Sequence, residues 1–526
     1  METSCIRQTA LPNTSKLFAD FTYHPDKVTR FYPYLPLTGD SWREAADAIR
    51  FSSERRRALV AALQIQNAGN PLLEKMAQPK TVAVVTGQQV GLLSGPPFTI
   101  YKALTAIRLA AELNSNGISA VPVFWLATED HDFAEVNETW VYDAHIKPIR
   151  LEAVAHPGVN QPVGGVNIDS FPIDELAHLL EGLPFAPEAV ELVRETYKSG
   201  VSFGDAFAAL LDRLLAGLPI LRVDPMLPAF RNLAAPFLRE AVSHAPELIT
   251  QLRERDKELA AAGYHSQVHV EESTSLFFLL AQGQRLNLKR QNSHYSSGSR
   301  KFFAEELADR AADLSPNALL RPVIQDSMIP TIAYVGGPAE LAYLAQSEVL
   351  YRSLLGRQPI AMHRAGFTLV GPQTLKLLNR YKLELTDFFH GEETLRQKAA
   401  ATLVDPQLLS RIDDSNSNAL ASLACMSKDL QGFDLSTSKA LERSRRKIEY
   451  QFEKIVRKVG REALMRHERA ARDVESLTNL LFPRQRLQER LYSTIAHIAQ
   501  FGPDLATRIY DEMKLECADH RVLLMQ

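Results

Sequence analysis

The chain has 526 residues, 45% hydrophobic and 23% charged, which suggests roughly three domains or one large domain with insertions. Gly and Pro together make up about a tenth of it, which excludes collagen-like and low-complexity classes. The net charge of −3 gives no global pull toward nucleic acid or anionic membrane, so any basic footprint must be local.

Cys5, Cys425 and Cys517 lie far apart in sequence and form no CxxC pair, so neither a disulfide framework nor a Cys-rich zinc site is expected. A reducing, cytoplasmic setting fits. The first thirty residues carry Arg7, Lys16 and Lys27 and no continuous apolar stretch, so no signal peptide is expected. The longest apolar runs, such as Ala120–Ala127, fall far short of the ~18 residues a membrane helix needs.

In chain order, a Pro- and aromatic-rich segment runs to about Arg57 and reads as irregular chain wrapped on a core. Ser52–Met76 has helical spacing. Thr81–Thr86 (TVAVVT) reads as a strand ending at Gly87. Pro96-Pro97 opens a helix to about Leu113, and Val121–Leu126 (VPVFWL) reads as a second buried strand. Strand, Gly-rich turn, helix and strand make a βαβ unit, and continuous apolar strands imply a parallel sheet covered on both faces. The grammar recurs at Ala206–Val223 and at Thr331–His363. Two less regular regions, about 143–196 and 255–314, read as insertions into one α/β core spanning 1–385.

From about Leu383 strand signals disappear, and residues 386–526 read as an α-helical domain. Asp434-Leu435-Ser436 looks like a helix start. Behind it a mostly 4-3 apolar spacing predicts one long helix over about 435–481, ended by Pro483. It needs a partner: the helix from about Pro406 to Leu430, a second subunit, or both. Arg445 and Arg466 at seam positions argue for a solvated hairpin. Cys425, with no His paired to it, reads as core. Twelve Lys/Arg against five Asp/Glu between Lys439 and Arg472 leave a local surplus of +7. Exposed helices often carry such charge, and Glu442–Arg446 and Glu453–Arg457 are i,i+4 pairs; the alternative is RNA or polyphosphate binding.

Three turns carry the candidate chemistry. Gly87-Gln88-Gln89-Val90-Gly91 follows a strand and precedes a helix, where backbone N–H groups and the helix dipole suit an anion. Two adjacent amides there suit a carboxylate, an amide or a base edge; the bland alternative is a capped tight turn. Glu129-Asp130-His131-Asp132 follows VPVFWLA, at a strand's carboxyl end, where open α/β sheets bind ligands. Such adjacent charges repel, so a metal, a substrate amine or an Arg must compensate. A metal needs converging ligands, which one tetrapeptide rarely supplies. The bland alternative is a solvated turn with Asp130 capping the next helix. Gly336-Gly337-Pro338-Ala339-Glu340 follows a third strand; Glu340 either caps the helix or shares a functional face with Tyr343. Arg321 precedes this unit, and Arg364, after the next strand, is a plausible phosphate or carboxylate fork.

Together these stretches resemble the cysteine ligase family of bacillithiol biosynthesis (the BshC family). The matching strings are VVTGQQVGLLSGPPFTIYKALTAI (Val84–Ile107), VPVFWLATEDHDFAEVN (Val121–Asn137), RPVIQDSMIPTIAYVGGPAELAYLAQ (Arg321–Gln346) and Pro359–Arg364, and the likeness spans essentially the whole chain. The resemblance implies a Rossmann-like parallel-sheet core with two connecting-peptide-type insertions. An all-α antiparallel coiled-coil domain that pairs two subunits would follow the core. It implies addition of cysteine to the glucosamine amine of glucosaminyl malate, with the carboxyl activated by a nucleotide, ATP with or without Mg²⁺. The core would be like that of class I aminoacyl-tRNA synthetases, but their HxGH signature is missing: Gln88, Gln89 and Gly91 stand in its place, so adenylate chemistry rests on analogy alone. Under this reading Glu129, Asp130, His131 and Asp132 bind the substrate ammonium and take its proton. Lys102, Arg321 and Arg364 neutralise phosphate or malate carboxylates, and no resident metal is called for. Membrane and nucleic acid are not expected partners. Two other readings remain: a metal-dependent hydrolase using Glu129–Asp132, and a non-catalytic nucleotide- or RNA-binding dimer using the basic helix.

Overall fold

A computed structural model of the chain describes residues 4–34, 39–291, 294–430 and 435–525. Its centre is a five-stranded, wholly parallel sheet. In spatial order the strands are Ile360–His363, Thr331–Gly336, Val82–Gln88, Ala120–Leu126 and Leu221–Val223. The chain therefore starts in the middle, winds out one way, and returns to build the other side. The strand order reverses between Val82–Gln88 and Thr331–Gly336, the place where open α/β sheets hold ligands.

The strands are apolar throughout because both faces are covered. Val82 and Val84 pack into one hydrophobic cluster, and Ala83 and Val85 into another on the opposite face. The Phe98–Ser115 helix makes the crossover between the first two strands and buries most of its length. Gly87 lies where that strand meets Ala120–Leu126 most closely: a Cβ there would sit 2.8 Å from the Trp125 carbonyl oxygen.

The two irregular regions fold on the flanks. The first holds the antiparallel hairpin Glu138–Tyr142/Pro148–Glu152 and the helices Ile173–Leu180 and Ala186–Thr196. The second holds two small antiparallel sheets between Phe277 and Pro316. Its expected start at 255 cuts through the helix Ala245–Ala261, and the start of the first at 143 falls in a hairpin turn.

Beyond the sheet, the helix Pro406–Asp429 packs against Leu435–Arg466 as a hairpin. The expected start residue Asp434 lies outside the described residues. The single long helix over 435–481 is corrected. It breaks at His467 (φ −115°, ψ 72°), and a second helix, Glu468–Leu481, follows. The two halves have different environments. Ala470, Val474, Leu477 and Leu481 are buried in the main core, whereas Ile455 and Met465 on the outer half are 48% and 70% exposed. The apolar stripe thus changes partner at the break. Cys425 is exposed on the hairpin, not core as expected, since the adjoining helix covers only one side of its own. Strands also do not end near Leu383: His520–Leu524 pairs parallel with Phe367–Val370 and antiparallel with Ser4–Ile6. Its pairing partners lie some 150 and 500 residues away, so local pattern did not mark it. No helix among the described residues is long and apolar enough to cross a membrane.

Candidate functional site

Parallel strands deliver their carboxyl ends to one edge, and a cavity of about 820 Å³ opens there. Its walls include Gly87, Gln88 and Gln89, then Glu129, Asp130, His131 and Asp132, then Glu340, Tyr343 and Arg364, with Lys102 and Arg321 between them. Three separate turns and two helices therefore meet around one hollow. Gly91 is the exception among the candidates. It precedes the short turn Leu92–Ser94 at φ −65° and does not line the cavity. The first turn is longer than its motif suggests. The strand runs through Gln88, and the helix begins only at Phe98.

The acids occupy one end. Glu129 is buried, and its Oε2 lies 3.5 Å from the Arg231 guanidinium. Its other oxygen, Oε1, is also buried and has no hydrogen-bond partner among the described residues. A buried carboxylate oxygen without a partner is a costly feature, on a residue that lines the cavity. Asp130 accepts from the Gln89 amide at 2.6 Å and from the His131 backbone N–H at 2.7 Å, and Arg285 lies 3.5 Å away. Burial pushes its carboxyl up, but the Gln89 hydrogen bond and the Arg285 charge outweigh that and hold it below the usual range. Asp130 is therefore a fixed anion and a weak base. Gln89 also donates to Glu135 at 2.8 Å, so one amide clamps two carboxylates. Arg285 NH1 lies 3.1 Å from His131 Nδ1, which ties the ring to the same arginine as Asp130. Arg285 itself lies over the Phe278 ring, 3.8 Å from its centroid, and its Nε donates to Ser315 at 3.0 Å. Asp132 is the N-cap of the next helix but makes no capping bond, and it has no ion pair among the described residues.

The opposite end is basic, and most of it is already engaged. The Lys102 ammonium donates to the Gly87 carbonyl (3.0 Å), to Gln88 Oε1 (2.8 Å) and to Glu340 Oε2. An ammonium has three protons, so none remains for a phosphate. Glu340 also accepts from the Gly337 N–H (2.8 Å) and the Tyr334 hydroxyl (2.9 Å). It caps its helix and neutralises Lys102 at once. Burial opposes its ionisation, but the Lys102 charge prevails and lowers its pKa. Arg364, the expected anion fork, is spent on Glu489: NH2 to Oε1 at 2.6 Å and NH1 to Oε2 at 3.1 Å, with both side chains buried. That pairing holds the Glu489 carboxyl at about 2, although burial alone would raise it. Arg321 donates to the Tyr343 hydroxyl at 2.8 Å and pairs with no carboxylate among the described residues.

Residue-type reasoning missed three arginines and one glutamate: Arg231, Arg285, Arg490 and Glu489. Arg231 and Arg285 supply the compensation that the acid cluster demands, but from 102 and 155 residues downstream. Glu489 occupies Arg364 from 125 residues away. Arg490 lines the cavity, and its side chain makes no hydrogen bond or ion pair among the described residues. It lies 5.9 Å from the Phe98 ring centroid, accessible yet ringed by Arg364, Glu489 and Glu340. No single signal marked Arg490; the need for a counter-charge marked the arginine class, not the position. Among the described residues no group of three or more His, Cys, Asp or Glu side chains converges as a metal site would require.

A doubly wound parallel sheet with a polar cavity at its strand ends, carrying opposite charges on opposite walls, defines a Rossmann-like protein. Comparison with known proteins gives the family. The N-terminal Rossmann-like domain of the bacillithiol biosynthesis protein BshC matches residues 1–365, and the C-terminal coiled-coil domain of BshC matches 367–525. The chain belongs to the BshC family. A Solibacter usitatus protein named "Putative cysteine ligase BshC" is 55% identical over 525 residues, covering 100% of both chains. Relatives of the same name from Koribacter versatilis and Salinibacter ruber are 35% and 29% identical, covering 99% and 96% of both chains.

Proposed function

We propose that this chain is a ligase that adds cysteine to the glucosamine amine of glucosaminyl malate, the last step of bacillithiol biosynthesis. One observation carries the reading beyond the family. After internal pairing, Glu129, whose buried Oε1 has no partner among the described residues, stands at one end of the cavity, and Arg490 and Arg321, which pair with no carboxylate among the described residues, stand at the other. An acceptor with an amine at one end and two carboxylates at the other matches that residue of charge. Glu129 receives the ammonium. Asp132, which no other group holds, takes the proton that must leave before the amine attacks. Asp130 and His131, both committed to Arg285, position the wall. Arg490 and Arg321 take carboxylate or phosphate oxygens.

Amide formation from a free carboxylate is uphill in water, so the cysteine carboxyl needs activation, and a nucleotide triphosphate such as ATP would supply it. Arg321 and Arg490 fit its phosphates; Lys102 does not, because its three protons are taken. Subunit pairing through the helical hairpin belongs to the same reading. Tyr450, Ile455 and Met465 are 53%, 48% and 70% exposed there, apolar surface that a second copy would cover.

The test is direct: incubate purified protein with isotope-labelled cysteine, glucosaminyl malate and ATP, and follow products by mass spectrometry. The expected result is a labelled amide with matching AMP or ADP. Failure to form the amide with any nucleoside triphosphate, while the protein stays folded, overturns the proposal.

A further inference from the structure

Two cysteines that stand 512 residues apart in sequence meet in space. Cys5 Sγ lies 3.8 Å from Cys517 Sγ. Cys5 is exposed and Cys517 half-buried. Cys5 sits on the strand Ser4–Ile6, opposite Arg521 of the antiparallel strand His520–Leu524, and Cys517 lies in the turn that leads into that strand. The two backbones are thus already tied by a β-ladder. Against a bond of ~2.0 Å, the two sulfurs at 3.8 Å have less than ~2 Å to close.

We propose that Cys5 and Cys517 form a thiol-modification site, a dithiol that closes to an intramolecular disulfide when it meets a low-molecular-weight disulfide RSSR. One cysteine thiolate attacks a sulfur of RSSR, forming a mixed disulfide and releasing RS⁻, which takes up a proton. The neighbouring thiol loses its proton to solvent and attacks the protein sulfur of the mixed disulfide. The Cys5–Cys517 bond forms and the second RSH leaves. Two protein thiols are oxidised and one RSSR is reduced to two RSH. The second step is fast because its nucleophile is held beside its target, so the mixed disulfide does not accumulate.

The site connects to the cavity system. A second chamber of about 440 Å³ adjoins the main cavity, sharing Phe98, Arg364 and Arg490, and Gln8 is part of its wall. Gln8 is fastened to the cysteine-bearing turn: its Nε2 donates to the Ala518 carbonyl at 2.9 Å. Its backbone N–H donates to the Tyr23 hydroxyl at 2.6 Å, and that hydroxyl donates to Asp519 at 2.5 Å. A Cys5–Cys517 bond adds a covalent tie to these hydrogen bonds and pins the wall of the chamber. The inference stands independently of the reaction assigned above.

Cys425, exposed and distant from both, serves as the internal control. The full-length protein is treated with oxidised glutathione, residual thiols are alkylated, and the intact mass and peptide map are measured. The expected result is a cross-linked peptide pair holding Cys5 and Cys517 with no adduct on either, while Cys425 carries glutathione. In Cys517→Ser, Cys5 carries the adduct instead. In a series of glutathione redox buffers, the cross-link persists at thiol-to-disulfide ratios at which the Cys425 adduct is lost. Independent glutathionylation of Cys5 and Cys517, or a cross-link lost at the same thiol-to-disulfide ratio as the Cys425 adduct, overturns the proposal.

Discussion

The two ends of the main cavity solve the same electrostatic problem in opposite ways. At the acidic end the carboxylates come from one short stretch of chain, and the counter-charges, Arg231 and Arg285, are imported from distant segments. At the basic end the cations lie on separate elements, and two of them have acquired their own carboxylates: Lys102 has Glu340 and Arg364 has Glu489. Most of the charge in the site therefore cancels within the protein. What is left for a ligand is small and specific: Glu129 and Asp132 at one end, Arg321 and Arg490 at the other. A count of charged residues at the site overstates what is available to bind; the unpaired remainder is the informative quantity.

The comparison breaks most visibly where pairing is complete. Arg364→Ala leaves Glu489 buried without its guanidinium, with only the Phe367 backbone N–H among the described residues still donating to it, and removing one partner of a buried pair costs about 3–5 kcal/mol. Urea unfolding should show that loss. An unchanged midpoint would mean that the pair does not hold the core to the C-terminal segment. Asp132→Asn has the next largest effect, on rate and not on stability. Loss of a general base lowers kcat by ~10²-fold or more, whereas Asp130→Asn disturbs acceptor binding more than the chemical step. Arg490→Ala comes third. It removes a charged hydrogen-bond donor of about 1.5–3 kcal/mol, so KM for the acceptor rises by ~10–150-fold with the urea midpoint unchanged.

Acid sensitivity sharpens the picture of the buried groups. Burial lowers His363 and His497 to about 3 from an ordinary value of 6.5, and Arg364 lowers Glu489 to about 2 against the upward push of burial. All three folded-state values lie below their unfolded ones, so unfolding takes up protons. The stability these groups contribute is complete above about pH 6.5 and is lost as pH falls toward 3, first through the histidines and then through Glu489. A urea midpoint that is flat from pH 7 to 4 would contradict this. The smallest effect belongs to the hairpin surface. Glu442, half-exposed on the hairpin, bridges Arg445 and Arg446, and Glu442→Gln should leave the unfolding midpoint where it is.

Much of this architecture is legible in the chain. The strands Val82–Gln88, Ala120–Leu126 and Thr331–Gly336 are short apolar runs closed by glycine or acidic turns, because parallel strands buried on both faces have no polar alternation to obscure them. The same rule puts Gln88, Glu129 and Glu340 at one edge, since parallel strands end on one side. What pattern did not reveal is what depends on distant contacts: the arginines that answer Glu129 and Asp130, the Glu489 that occupies Arg364, and the strand His520–Leu524. The break at His467 was hidden for a related reason. The apolar spacing carries on through it, and only the change of packing partner, from hairpin to core, reveals the turn.

The most direct test of the central claim is calorimetric titration of wild type, Glu129→Gln and Arg490→Ala with two halves of the acceptor, methyl glucosaminide and malate. The account predicts a crossed pattern: Glu129→Gln weakens the amino sugar and spares malate, and Arg490→Ala does the reverse. Equal weakening of both halves by either substitution, or of neither half by both, would contradict a cavity in which Glu129 and Arg490 divide the acceptor between them.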